Sequence, residues 1–194
     1  MHELILLRDE ALQCTKCPLS KSRNKLVFGE GNPDAGIFMI GEGPGYDENE
    51  QGRPFVGRSG QLLDKILNAC GFNRQEHIYI GNIVKCRPPG NRNPSPEEAA
   101  TCMPYLMKQI EIVDPKIIIL LGATALKYMI DPDLRITKIR GQWTEHNGRL
   151  FMPVYHPSAL LRNPALKKET WEDYKNVVRK YRELVDGGHE CEYV

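Results

Sequence analysis

The run Ile37-Phe-Met-Ile40 contains no polar residue and breaks at once into Gly41-Glu-Gly-Pro-Gly45. That junction constrains the fold more than any other stretch of the chain. A strand that is apolar throughout has both faces covered, as in a sheet with helices on either side. Open α/β sheets of this kind bind ligands in the loops at the carboxyl ends of their strands. The loop expected over residues 41–57 passes Asp47, Glu48 and Glu50 and returns through Arg53-Pro-Phe55-Val-Gly57 to Gly60 before a helical pattern begins.

The rest of the chain alternates in the same way. Residues 77–83, closing on Asn82, and 115–122, containing Ile-Ile-Ile-Leu-Leu-Gly122, are predicted as buried strands. Residues 143–145 and 149–154 are predicted as a hairpin around Asn147-Gly148, its second arm leading inward, and a short edge strand fits residues 25–28. Helical spacing covers 3–12, 61–69, 123–130 and 167–184, and Ser95-Pro96-Glu97-Glu98 opens a helix running to about Val113. This order predicts a single domain over residues 1–194, a three-layer α/β/α sandwich with a central, mostly parallel four-stranded sheet. Residues 159–164 are expected as an exposed loop and 187–194 as a flexible tail.

With 41% apolar and 26% charged residues, the chain is not of a disordered or fibrous class. A formal net charge of +1 says little about partners, although the basic residues bunch in a way compatible with a nucleic-acid footprint. No apolar run reaches the roughly 20 residues of a membrane span, and the first residues lack the pattern of a signal peptide, so a cytoplasmic location is expected. Six cysteines in that compartment point toward metal ligation for some of them. Cys14 and Cys17 have the spacing of a metal clip, Cys86 stands in a basic loop and Cys102 in a helix. Four thiolates would suit a tetrahedral zinc or a four-iron cluster, and spacing does not separate them. Cys70 reads as core and Cys191 as a free tail thiol.

Three loops on one sheet end offer Gly41 to Gly45, Asn82 and His156. Backbone N–H groups at Gly41, Gly43 and Gly45 suit a carbonyl or a developing anion. No Gly-Lys-Ser/Thr closes the loop, so it is not a Walker A phosphate loop. Phe55 either folds into the core or offers a flat face to a ring. An asparagine at a strand end presents a fixed donor and acceptor, the pattern that reads the edge of a uracil ring, which cytosine reverses. His156, with its backbone restricted by Pro157, would act as a donor to negative charge.

Gly41-Glu-Gly-Pro-Gly45, Gly52-Arg-Pro-Phe-Val-Gly57, Asn82-Ile-Val-Lys-Cys86-Arg-Pro-Pro89 and His156-Pro-Ser-Ala-Leu-Leu-Arg162, in this order, resemble the family 4 uracil-DNA glycosylases, the iron-sulfur type of thermophiles. The resemblance implies a [4Fe-4S] cluster on Cys14, Cys17, Cys86 and Cys102, tethering the N-terminal segment. It also implies that Phe55 stacks on a flipped uracil, Asn82 reads its edge, Gly41 and Gly43 line the base site, and His156 meets O2. Leu160 or Leu161 would wedge into the duplex, with Arg162, Lys85, Arg87 and Arg92 at DNA. The best-known branch of the superfamily carries Gly-Gln-Asp-Pro-Tyr where this chain has Gly41 to Gly45, which leaves Glu42 as the substitute for positioning water. The implied activity is monofunctional excision of uracil from single- or double-stranded DNA by a monomer, releasing free uracil and leaving an abasic site. A zinc-stapled nucleotide-binding module without catalysis and an iron-sulfur oxidoreductase are the competing readings.

Overall fold

The computed structural model describes residues 2–194. Its strands are β1 (Glu30–Gly31), β2 (Ile37–Gly41), β3 (Ile78–Asn82), β4 (Ile117–Leu121), β5 (Thr144–His146) and β6 (Arg149–Val154). They form one six-stranded sheet in the order β1-β3-β2-β4-β6-β5. The inner four are parallel, and β1 and β5 pair antiparallel at the two edges. The expected four-stranded sheet is therefore corrected to a mixed, six-stranded one. The parallel strands were readable because burial on both faces makes them apolar throughout. Two-residue β1 and fully exposed β5 carry no such pattern, and the edge pairing falls at 30–31 rather than 25–28.

Helices α1 (His2–Leu12), α2 (Tyr46–Gln51), α3 (Arg58–Ala69), α4 (Pro96–Val113), α5 (Ala123–Met129), α6 (Ile136–Ile139), α7 (Pro157–Arg162) and α8 (Lys167–Leu184) complete the fold. Alternate strand residues separate two cores, as the period of two requires. Phe38, Ile40, Tyr79, Ile118, Leu120 and Phe151 pack with Leu4, Leu106, Ile110 and Leu126 from α1, α4 and α5. Ile37, Met39, Ile80, Ile119, Met152 and Val154 pack on the other face with Leu63, Leu67, Tyr174 and Val178 from α3 and α8. The α/β/α layering holds.

Two helices replace expected loops. Residues 46–51 form α2 because Glu48, its third residue, turns its carboxylate back to the Gly45 N–H at 3.1 Å. Residues 157–162 form α7 because Pro157 starts a turn whose first donors His156 caps. The last eight residues, expected as a flexible tail, are mostly exposed but anchored at His189 and Val194. His189 is buried, stacks on Phe72 with ring centroids 4.3 Å apart, and bonds the Cys70 carbonyl at 2.9 Å. Arg182 donates to the carbonyls of His189 and Val194 at 2.8 and 2.7 Å.

From β2 the chain passes to β3 on one side and later to β4 on the other. That reversal opens a crevice at the carboxyl end of β2. Gly41 lies there in register with Asn82, and Leu121 with Val154, so the loops after four parallel strands meet at one edge.

Candidate functional site

At that edge lies a cavity of about 510 Å³ lined by Glu42, Gly43, Phe55, Asn82, His156 and Arg162, among others. The glycine loop, the strand-end amide, the phenylalanine and the histidine, far apart in sequence, are thus brought together. The ladder continues past the strands, with Ile83 and Val84 N–H donating to the carbonyls of Gly41 and Glu42 at 2.9 and 3.1 Å. The glycine loop and the Asn82 loop are held as one sheet extension.

Asn82 is only 2% exposed, and its Oδ1 has no hydrogen-bond partner among the described residues. A buried acceptor left unpaired costs about 1–3 kcal/mol, which a ligand donor would return. Gly41 makes room for it: a Cβ at 41 would lie 2.4 Å from Asn82 Oδ1 and 2.7 Å from Phe55 Cζ.

Phe55 has φ of +51°, a left-handed conformation that costs a non-glycine residue roughly 1–2 kcal/mol. Its ring is buried and tilted 35° to the His156 imidazole, with centroids 5.6 Å apart. Gly60 permits this geometry, because a Cβ there would fall 1.8 Å from the Phe55 carbonyl oxygen. Glu48 fastens the same turn to the glycine loop. Beyond capping Gly45, its carboxylate accepts from the Val56 and Gly57 N–H groups at 2.9 and 2.8 Å.

The His156 Nδ1 accepts the Ser158 backbone N–H at 3.1 Å and lies 2.8 Å from Ser158 Oγ. A backbone amide only donates, so Nδ1 carries the lone pair and the neutral ring's proton resides on Nε2. Burial first, then the nearby Arg162 charge, pushes the imidazole down to about 4, with Glu48 opposing. At neutral pH the site therefore presents an uncharged Nε2–H donor. Glu42 accepts from the Thr124 hydroxyl. Its carboxylate borders both the main cavity and an adjoining one of about 410 Å³ that is also lined by Thr124, Tyr155 and His156.

The residues expected at DNA divide. Arg92 and Arg162 line the cavity, as does Arg58, and Arg92 is aimed by Glu98 through bonds of 2.7 and 2.8 Å. Arg87 lies over the exposed Tyr46 ring at 5.2 Å from its centroid. Lys85 is corrected: it is 1% exposed, and its ammonium is bound inside the protein by the Asn82 carbonyl at 3.1 Å and by Gln109. Burial lowers it to about 8. Of the two wedge candidates, Leu160 is buried at 1% exposure and Leu161 is 38% exposed.

The expected [4Fe-4S] cluster is also corrected. Cys14, Cys17, Cys86 and Cys102 border one small cavity. Among the described residues, however, no group of three or more His, Cys, Asp or Glu side chains is placed to hold a metal ion. Burial moves the Cys86 and Cys102 thiols upward, opposed by Arg23 at Cys86 and by Lys85 at Cys102. Cys86 Sγ accepts from Arg23 at 3.2 Å and Cys102 Sγ from the Lys85 N–H at 3.3 Å. The N-terminal segment is tied down by packing of α1 on α4, by Lys16 donating to the Tyr105 hydroxyl at 3.2 Å and by Arg23 donating to the Leu12 carbonyl at 3.0 Å.

Thr124 and Arg74 are supporting residues that sequence reasoning did not single out, and the bonds that Glu48 and Ser158 make here were not foreseen. Only Glu48 left a trace, as an acid three residues after the loop glycine Gly45.

Residues 28–175, which hold this edge site, match the family model of the uracil DNA glycosylase superfamily, and the chain belongs to that superfamily. It is 49% identical over 162 residues to the type-4 uracil-DNA glycosylase of Thermotoga maritima, covering 81% of this chain and 83% of that one. The type-4 enzyme of Saccharolobus solfataricus is 42% identical, with 91% and 86% covered. A type-5 uracil-DNA glycosylase of Pyrobaculum aerophilum is 29% identical, with 77% and 72% covered. The similarity is thus to the type-4 enzymes, without support for the iron-sulfur part of that resemblance. Among the described residues no helix is long and apolar enough to cross a membrane.

Proposed function

We propose that this protein excises uracil from DNA, hydrolysing the N-glycosidic bond of a flipped-out deoxyuridine and leaving an abasic site. The observation that carries the reading is the buried, unpartnered Asn82 Oδ1 beside Phe55 and Gly41. A uracil seated against the Phe55 ring would give its N3–H to Oδ1 and take the Asn82 amide N–H at O4. Cytosine has an acceptor at N3 and a donor at C4, so it would meet like groups at both positions.

As the glycosidic bond breaks, the electron pair passes to the base and negative charge grows on O2. The neutral His156 Nε2–H is the donor for that charge, and its bond strengthens as the charge develops. An imidazole held uncharged also leaves the cationic sugar without a repelling neighbour. Glu42, steadied by Thr124, orients the water that adds to C1′. Arg58, Arg92 and Arg162 around the cavity take phosphates. Lys85 is sealed in the interior, which favours simple hydrolysis over a Schiff-base lyase reaction.

Free uracil should be released from single- and double-stranded DNA containing deoxyuridine, with unmodified thymine DNA as control. Asn82→Ala and His156→Ala should each slow release by about 10²- to 10³-fold, the usual cost of removing a preorganised donor. Wild-type rates in both variants would overturn the site assignment.

A further inference from the structure

The Phe55 turn is gripped from two sides by opposite charges that bind its backbone. Facing the main cavity, the Glu48 carboxylate takes the N–H groups of Val56 and Gly57. On the outer side, Arg74 donates from Nη1 to the Pro54 carbonyl at 2.9 Å and from Nη2 to the Phe55 carbonyl at 2.7 Å. The same guanidinium gives Nε to Asp64 at 2.7 Å and Nη1 to Glu30 at 3.3 Å. All three of its nitrogens are engaged, and its side chain is 10% exposed. Phe55 itself divides the main cavity from a second one of about 660 Å³, which Arg74 lines from behind.

We infer that Arg74 is a positioning residue for Phe55: its guanidinium holds the left-handed Phe55 backbone at the angle that presents the ring to the base. The inference rests on the reading of the cavity as a uracil site. A left-handed phenylalanine persists only where its surroundings over-determine it. Glu48 fixes the two peptide N–H groups after Phe55, and Gly60 gives the carbonyl room, but neither bonds the oxygens of Pro54 and Phe55. Arg74 does. A planar fork addresses two successive carbonyls while pairing with two carboxylates, a task to which the point charge of lysine is unsuited.

A double-mutant cycle tests this, with single-turnover uracil release from single-stranded DNA measured for wild type, Arg74→Lys, Phe55→Ala and the double variant. Lysine keeps a cation between Glu30 and Asp64, so the fold is retained, and melting curves check this. Arg74→Lys should slow release about tenfold in the wild-type background and less than about twofold where Phe55 is already alanine. A second arm, Asp64→Asn, loosens the guanidinium without removing it. It should lose about threefold, again only when Phe55 is present. Equal losses in both backgrounds would overturn the positioning role and leave the glycosylase reading standing. No uracil release by the wild-type protein would overturn that reading and the inference with it.

Discussion

Replacing Gly41 by alanine adds one methyl group at the most crowded point of the cavity. The new Cβ would lie 2.4 Å from Asn82 Oδ1 and 2.7 and 2.8 Å from two ring carbons of Phe55. Favourable contact starts near 3.5 Å, so the amide and the ring must together retreat by about 1 Å. The backbone cannot yield instead. Gly41 is in register with Asn82, and its carbonyl is bound by the Ile83 N–H at 2.9 Å. Overpacking of this kind costs about 1–3 kcal/mol, which for a chain of this length lowers melting by at most about 10 °C. The functional cost is larger, since a misplacement near 1 Å lowers rates by about 100-fold. Single-turnover uracil release by Gly41→Ala should therefore fall by about two orders of magnitude while the protein remains folded at the assay temperature. Release within threefold of wild type, from a folded variant, would refute the view that Asn82 and Phe55 stand where the base must lie.

Two further outcomes follow from the geometry. The His156 imidazole is depressed from 6.5 to about 4, so above 6.5 it is neutral in both folded and unfolded chains and contributes no slope. As pH falls from 6.5 toward 4 the unfolded chain takes up a proton that the folded one refuses, and stability is lost, by at most about 3 kcal/mol at 1.36 kcal/mol per unit. Urea unfolding at pH 7 and 4.5 should show the stability gap between wild type and His156→Gln closing as pH falls; a constant gap would refute the depressed value. Leu161→Ala should slow uracil release from duplex but not from single-stranded DNA with melting unchanged, whereas Leu160→Ala, which empties a buried site, should cost about 2–5 kcal/mol of stability. An equal Leu161→Ala effect on both substrates would remove the wedge role.

The parts of the fold legible in the sequence were those that burial dictates. Strands β2, β3 and β4 read as apolar runs because helices cover both faces, and Gly41 and Asn82 mark where two of them end. Edge strands escape such reading, because β5 has neither face buried and β1 exists only through its pairing with β3. Charge misled at Lys85, where a lysine in a basic stretch passes for a surface contact but lies in the interior against Gln109. The cysteine spacing misled in another way. It places Cys14, Cys17, Cys86 and Cys102 around one cavity, yet holding a metal needs side chains aimed at a shared point, and spacing does not encode aim. The same distinction explains why Asn82 and His156 stood out while Thr124 and Arg74 did not. Their significance lies in the atoms they bond, 82 residues away for Thr124 and Glu42, and not in any local pattern.

His156 shows how a local backbone choice becomes a chemical one. Pro157 starts α7 with its fixed φ, and Ser158, the next residue, carries one of the free N–H groups at the start of a helix. That N–H donates to the His156 Nδ1 at 3.1 Å. The bond fixes the tautomer and leaves Nε2 as the donor, while burial keeps the ring uncharged. A serine two residues later would seem interchangeable with any small residue, since the decisive contact uses its backbone. Its hydroxyl, 2.8 Å from the same nitrogen and also 3.4 Å from Arg162, holds the ring against rotation and links it to a cavity-lining cation. The donor at the reacting base is therefore set by where a six-residue helix begins. The glycine loop on the opposite wall is likewise set by α2, whose Glu48 caps it. Two short helices that look like loops in the sequence fix the two sides of the site, and the parallel sheet brings them within reach of one another.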